Sequence, residues 1–341
     1  MEVAGQSGRS MQRRWRKNMP VQSKAEAFRS FVNQNKTLVL QPHDNPDPDA
    51  IASAYGLAEL ISALGGQAVI CYAGHIPRAL TQEMIGVLRI PILPAVVRPG
   101  KETAIIAVDG RIQNDNVTKF PGKYVGEIDH HQGNREDVPV IYQDVRPDYG
   151  SASSIVGEYW RDLGLPIPNA VATALSIGIN MDTQRFVRGA NVADIEIFAW
   201  LFNKVDHAYM QYVLSNDLEC ADFQYYDKAF NSLVMRKNFG MADLGELDNI
   251  PLLAAICDFL LSAKEIDVML TFACSQNKLR LSLRSETADY SAGEIAKRIT
   301  ENIGSGGGHP SMAAGSCPIA ENEDIGALKK RIAERYFACI R

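Results

Sequence analysis

Apolar positions along this 341-residue chain follow two rhythms from about residue 36, short β-rich runs and longer helical periods, in alternation. The run 37–41 (TLVLQ) is a compact apolar strand, followed by a polar loop and an apolar-periodic helix over 50–65. Further strands are predicted at 67–73 (QAVICYA), 104–108 (AIIAV) and 124–128 (YVGEI), and helical periodicity dominates 151–164, 168–181 and 191–213. Strands interleaved with helices predict βαβ units and a mostly parallel sheet flanked by helices. A second, smaller α/β unit begins around 225–235. It has adjacent strands at 266–274 (IDVMLTFAC) and 278–284 (KLRLSLR), joined by the polar turn Ser-Gln-Asn. A helix near 291–302, a glycine cluster at 304–308 and a last helix near 325–338 follow. The stretch 206–230 contains neither Pro nor Gly and predicts a helical connector. The expected organisation is therefore 23–205, 206–230 and 231–341, with a cleft between the two folded units.

Composition narrows the class. A hydrophobic fraction of 46% with 22% charged residues is that of a globular protein, and the length suits two cores rather than one. A net charge of −5 argues against a broad footprint on long duplex nucleic acid, while leaving room for a short nucleotide in a local pocket. No apolar run approaches the ~18 residues of a membrane span. The six cysteines are scattered without a C-x-x-C pair, which predicts buried thiols in a reducing, cytoplasmic setting. Residues 1–22 differ: Arg9, Arg13, Arg14, Arg16 and Lys17 sit among Gly, Ser and Gln with no apolar segment behind them. This reads as a disordered basic extension rather than a secretory signal, with Met19 as an alternative start.

The densest chemistry is His43-Asp44-Asn45-Pro46-Asp47-Pro48-Asp49, directly after the first strand. Carboxylates this crowded repel one another unless paired, and the prolines hold the loop extended. An exposed Asx/Pro turn has the same composition. Two other loops shift the balance: Asp109 follows AIIAV, and Asp129-His130-His131 follows YVGEI. Each cluster sits at the carboxyl end of a predicted parallel strand, the edge where open α/β sheets bind ligands. Asp182 ends the apolar stretch AVATALSIGI a little later. Carboxylates mixed with imidazoles and lacking thiolates suit Mn²⁺, Mg²⁺ or Fe²⁺, with Zn²⁺ also compatible. The donors exceed the needs of one ion, favouring two metals that share a bridging water and clamp a displacement at phosphorus.

His-x-x-x-Asp-x-Asp, the lone Asp109, Ile-Asp-His-His and Gly-Ile-x-x-Asp-Thr, in that order across 36–190, resemble the DHH phosphoesterase superfamily. That superfamily includes RecJ-like exonucleases, nanoRNases, cyclic-dinucleotide phosphodiesterases and family II pyrophosphatases. The resemblance implies one metal on His43, Asp47 and Asp109. It implies a second on Asp49, Asp109, His130 and Asp182, with Asp109 bridging and Mn²⁺ the usual ion. Asp129 would orient a neighbouring histidine, and His131 would face the substrate phosphate as donor or general acid. Pro48 stands where many relatives have Gly, a change that leaves every ligand in place.

In the C-terminal half, Ser282-Leu-Arg-Ser285, Gly306-Gly-Gly-His309 and Ala313-Ala-Gly315 resemble the DHH-associated domain of RecJ-like and nanoRNase-like proteins. Glycine amides can approach an anion closely, Arg284 can grip a phosphate bidentately, and His309 adds a donor. Substrate binding is thereby expected at Arg284, Gly306, Gly307, Gly308 and His309. The implied activity is hydrolysis of short oligoribonucleotides, linear dinucleotides or 3′,5′-bisphosphate nucleotides. A pyrophosphatase or exopolyphosphatase, and a non-catalytic nucleotide-binding module, are the alternatives. The expected partner is a small nucleotide or short RNA, with neither membrane nor long duplex, and a homodimer is left open.

Overall fold

Six parallel strands frame the first unit of the computed structural model, which describes residues 23–340 except 77, 96–98, 132–138, 188, 216–217 and 321–323. The N-terminal basic segment lies outside the described residues. Elements run α1 (Lys24–Gln34), β1 (Thr37–Pro42), α2 (Pro48–Ala63), β2 (Gln67–Tyr72), α3 (Ala79–Val87), β3 (Ile92–Pro94), β4 (Ala104–Val108), β5 (Lys123–Asp129) and β6 (Tyr142–Val145). They continue through α4 (Ala152–Asp162), α5 (Asn169–Asp182), α6 (Val192–Leu201) and α7 (His207–Ser215). The strand order is β3-β2-β1-β4-β5-β6 with every pairing parallel.

Local chemistry sets these elements. Asp47 caps α2 by accepting from Ala50 N at 3.0 Å, and Pro48 occupies the first turn, where its missing N–H costs nothing. Ser151 caps α4 through Ser154 N. The core behind the sheet gathers Leu38 and Leu40 of β1, Ile51, Leu57 and Ile61 of α2, and Trp160 and Leu175 of α4 and α5. Each such side chain contributes about 1.5–3 kcal/mol through burial. Trp160 also satisfies its indole N–H on the carbonyl of Gly56 at 3.0 Å.

The chain divides into two units between Asp217 and Leu218. The second carries α8 (Phe223–Ser232), β7 (Val234–Arg236), β8 (Phe239–Glu246), α9 (Ile250–Leu261), β9 (Val268–Ser275) and β10 (Lys278–Ser285). It ends with α10 (Ala292–Thr300), β11 (Ser305–Gly308), β12 (Met312–Pro318) and α11 (Ile325–Phe337). Its mixed sheet has the order β11-β12-β10-β9-β8-β7, with β8 and β9 parallel and the other pairs antiparallel.

Three sequence expectations change. The single helix expected over 191–213 breaks after Leu201 into a 3₁₀ turn (Phe202–Lys204), and Asp206 then starts α7 by accepting from Tyr209 N at 3.0 Å. The glycine cluster, which the sequence left without an element, is an edge strand whose backbone pairs with β12 from Ser305↔Ser316 to Gly308↔Ala313. Strands β3, β6, β7, β8 and β12 were not anticipated; three of them have only three or four residues, too short for a period to register. No helix among the described residues is long and apolar enough to cross a membrane.

Candidate metal centre

The strand order reverses direction between β1 and β4, and the crevice at such a switch point opens at the strands' carboxyl ends. His43 follows β1 there, Asp109 follows β4, and Asp129, His130 and His131 end and follow β5. The start of α2 brings Asp47 and Asp49, and the last residue of α5 is Asp182. Three compact donor groups result: His43, Asp47 and Asp109; Asp49, His130 and Asp182; and Asp109, His130 and His131. Within each, the ligand atoms all lie within 4.8 Å of one another. Asp109 belongs to two of them, and so does His130.

Asp109 is buried and its backbone lies in the left-handed region (φ 54°), a conformation that Asp tolerates better than most residues. Its amide donates to Ile128 O at 2.9 Å, so the strain is held by the neighbouring strand. The Asp109 carboxylate faces His43 Nε2 at 3.7 Å, His130 Nε2 at 3.3 Å and His131 Nδ1 at 3.7 Å. His130 Nε2 is also 3.0 Å from Asp182 Oδ2. Two imidazoles are oriented through their far nitrogens, His43 Nδ1 on Asp44 O at 2.9 Å and His130 Nδ1 on Tyr149 O at 3.2 Å. Both therefore turn Nε2 inward. Asp49 is buried at the first turn of α4, its oxygens accepting from Ala152 N (2.8 Å) and Ser153 N (3.0 Å). Asp129 accepts from His131 Nδ1 at 2.8 Å, and the ring is half-exposed.

Divalent cations fit this donor set. Donors bound at about 2.1 Å to one ion lie roughly 3.0–3.4 Å apart at tetrahedral or octahedral angles, close to the spacings around His130. Asp109 Oδ1 and His130 Nε2 are buried, and neither has an aligned hydrogen-bond partner among the described residues. Such orphans cost about 1–3 kcal/mol each unless a cation or proton satisfies them.

The electrostatics agree. Burial pushes the Asp49 carboxyl well above the usual carboxylate range, reinforced by Asp109 and Asp182. Burial works in the same direction on Asp109, yet His130, His131 and His43 together hold it below that range. Burial opposes charge on the histidines but their acids outweigh it: Asp47 and Asp109 raise His43, and Asp109 and Asp182 raise His130 well above its ordinary value. Asp129 and Asp109 lift His131 from 6.5 to about 9. A histidine raised on folding adds stability that is complete below its unfolded pKa, near 6.5, and lost as pH climbs through its folded value. The metal-free protein is expected to melt at progressively lower temperature between pH 6.5 and about 9, the His131 window. Divalent-ion affinity should rise with pH, because His43 and His130, both raised above their ordinary value, must shed protons to bind. Calorimetry in chelator checks the first and titration with Mn²⁺ the second; a flat melting profile would contradict the assignment.

Sequence reasoning missed several supports of this centre. Asp44, inside the acidic run, is a tether: its carboxylate takes Thr118 N (3.0 Å) and Thr118 Oγ1 (2.7 Å). The Tyr149 carbonyl and the α4 amides carry no side-chain signature. Gly178 was visible as part of Gly-Ile-x-x-Asp, but not its reason. A Cβ there would lie 2.3 Å from Ser153 Oγ and 2.8 Å from Asp49 Oδ1.

The second unit places its expected binding residues differently. Arg284 is buried, and its bidentate grip is taken by Asp258 of α9, with Nε–Oδ1 at 2.7 Å and Nη2–Oδ2 at 3.1 Å. Its Nη1 donates to Ser282 Oγ and Leu283 O. The sequence reading left this guanidinium open to a phosphate; Asp258 was hidden within an apolar helix 26 residues earlier. Gly306 and Gly308 are glycine for internal reasons, a Cβ falling 2.6 Å from Ala296 O and 2.5 Å from Met312 O respectively. Gly307 has room, with only Lys297 Cε at 3.9 Å. His309 is exposed just beyond the strand.

Comparison with known proteins agrees with this architecture. Residues 37–179 match the DHH family, N-terminal domain, and residues 247–336 match the DHHA1 domain. An uncharacterized protein of Methanocaldococcus jannaschii is 31% identical over 308 residues, covering 89% of this chain and 63% of that protein. The chain thus spans less than two thirds of that relative. A probable bifunctional oligoribonuclease and PAP phosphatase NrnA of Streptococcus mutans is 27% identical over 315 residues, covering 88% of this chain and 96% of the other. A probable manganese-dependent inorganic pyrophosphatase of Streptococcus pyogenes is 30% identical over 145 residues, 41% of this chain and 46% of the other. With the DHH family's N-terminal domain matched over the parallel-sheet unit and a DHHA1 domain following it, the chain belongs to the DHH phosphoesterase superfamily.

Proposed function

We propose that the protein is a metal-dependent phosphodiesterase or phosphatase acting on short oligoribonucleotides, linear dinucleotides or 3′,5′-bisphosphate nucleotides. The observation that carries this reading is the cluster of acids and imidazoles around Asp109 at the sheet's switch point. His43, Asp47 and Asp109 would hold one ion, and Asp49, Asp109, His130 and Asp182 a second, with Mn²⁺ the proposed metal. When bound, the ions supply Lewis-acid polarisation of the phosphoryl group and activation of water. The chain's own residues do the rest. His131 is half-exposed and is the proposed proton donor, its pKa raised in the metal-free protein by Asp129 and Asp109. Asp129 fixes its Nδ1, so Nε2–H is the proton offered to a phosphate oxygen or a leaving group. In the second unit, the glycine edge strand Gly306–Gly308 and His309 are the proposed anion contacts, with Arg284 held against Asp258 as their frame.

Short RNA and bisphosphate nucleotides are preferred as substrates because the likeness to the oligoribonuclease and PAP phosphatase extends over 88% of the chain. The pyrophosphatase reading has its own support, a likeness of slightly higher identity over 41% of the chain. A non-catalytic module is disfavoured by the complete donor set. Mn²⁺-dependent turnover of a dinucleotide, a five-nucleotide RNA, a bisphosphate nucleotide, pyrophosphate and polyphosphate separates the three. Fastest release from the dinucleotide or bisphosphate nucleotide is expected. Faster turnover of pyrophosphate would reverse the first two readings, and no turnover despite metal binding would leave the third.

A further inference from the structure

We infer that Arg146 is a positioning residue for the candidate metal centre, acting on His130 through the backbone of Tyr149 and bracing α4 against the same loop. This rests on the reading of His130 and Asp49 as metal ligands. The turn 146–149 is fixed at both ends by backbone bonds: Arg146 N donates to Asp129 O (2.9 Å), and Tyr149 N donates to Arg146 O (3.0 Å). Its last carbonyl, Tyr149 O, is the acceptor 3.2 Å from His130 Nδ1. The tautomer and ring angle of His130, and so the aim of Nε2 at Asp109 and Asp182, depend on where that carbonyl sits.

The side chains of the turn show how it is held. The Arg146 guanidinium meets Asp144 bidentately (Nε–Oδ1 2.9 Å, Nη2–Oδ2 2.8 Å) and Glu158 of α4 through Nη1 (2.6 Å). Asp144 is almost fully buried and also accepts from the Tyr159 hydroxyl at 2.5 Å. The Tyr149 hydroxyl donates to the other oxygen of Glu158 at 2.5 Å, and the guanidinium lies 4.9 Å from the Tyr149 ring centroid. Tyr149 is thus gripped at its amide, ring and hydroxyl, with Arg146 engaged in each attachment directly or through Glu158. One residue further on, Gly150 N donates to Asp194 Oδ2 at 2.9 Å. Helix α4 then begins, and its first amides hold Asp49. One short segment therefore sets two ligands that the resemblance assigns to the same ion, and Glu158 ties its two ends together. A planar, five-donor guanidinium meets these demands together; a lysine ammonium supplies the charge without the geometry.

Mn²⁺ titration calorimetry of the full chain tests the assignment, together with solvent exchange of the His130 Nδ1 proton by ¹⁵N NMR of the metal-free protein. Arg146→Lys is expected to weaken Mn²⁺ binding by about 10- to 100-fold and to deprotect that proton. Tyr149→Phe, which leaves the buried Arg146–Asp144 pair intact, should act in the same direction by less, and it decides the matter if Arg146→Lys does not fold. Arg161→Ala, on the same helix and 3.9 Å from Glu158, is expected to change neither readout. Wild-type Mn²⁺ affinity and a protected Nδ1 proton in both Arg146→Lys and Tyr149→Phe would overturn the proposal. A wild-type protein that binds no Mn²⁺ would overturn the metal reading, and the proposal with it.

Discussion

Asp109→Asn is expected to lower turnover of any phosphoester by about 10³-fold or more, the scale at which a preorganised charge-stabilising group acts. Mn²⁺ titration should show the loss of at least one bound ion. Asparagine is the informative replacement. It keeps the shape of the side chain, and it tolerates the left-handed backbone (φ 54°) that alanine would strain. What it removes is the one negative charge that faces His43, His130 and His131 together. All three imidazoles are raised in part by Asp109, and His131 sets the window, so the metal-free variant should also lose stability less steeply between pH 6.5 and about 9. Three readouts thus follow from one carboxylate. Wild-type metal stoichiometry in a folded Asp109→Asn protein would remove Asp109 from the bridging position.

Much of this arrangement was legible before any coordinates, for a physical reason. A parallel sheet puts successive strand ends on one edge, so polar clusters after TLVLQ, AIIAV and YVGEI had to converge whatever the loops did. Side-chain chemistry at those ends reads directly as letters. What stayed hidden acts through backbone or through distant pairing. The Tyr149 carbonyl and the Ala152 and Ser153 amides are available from any residue type, so no letter marks them. Asp258 lies on an otherwise apolar helix, where one acid reads as a solvated position until its partner Arg284 is seen across it. The edge strand Ser305–Gly308 defeated propensity: glycine disfavours strands, but here it is required by close approach to Ala296 and Met312.

Gly178→Ala is expected to destabilise the first unit and to empty the Asp49 side of the centre, although alanine is the better helix former. On α5, the substitution gains about 1 kcal/mol of intrinsic propensity. Against this stands the new methyl, 2.3 Å from Ser153 Oγ, 2.8 Å from Asp49 Oδ1 and 3.2 Å from Ala52 Cβ. Ser153 Oγ can turn aside, but Asp49 and Ala52 lie on α2, packed against α5, so relief there requires moving that helix or expelling the carboxylate. Overpacking of this kind costs about 1–3 kcal/mol. Expelling Asp49 forfeits two bonds to backbone amides, each worth about 0.5–1.5 kcal/mol. Strain and lost bonds outweigh propensity, and a net loss of about 2 kcal/mol corresponds to roughly 4–8 °C in a unit of this size. Scanning calorimetry of the metal-free protein should show that drop, and Mn²⁺ titration should show weakened binding at the ion shared by Asp49, His130 and Asp182. A variant that melts no lower and binds Mn²⁺ as before would mean that α2 and α5 do not meet at Gly178 as tightly as the 2.8 Å approach to Asp49 requires.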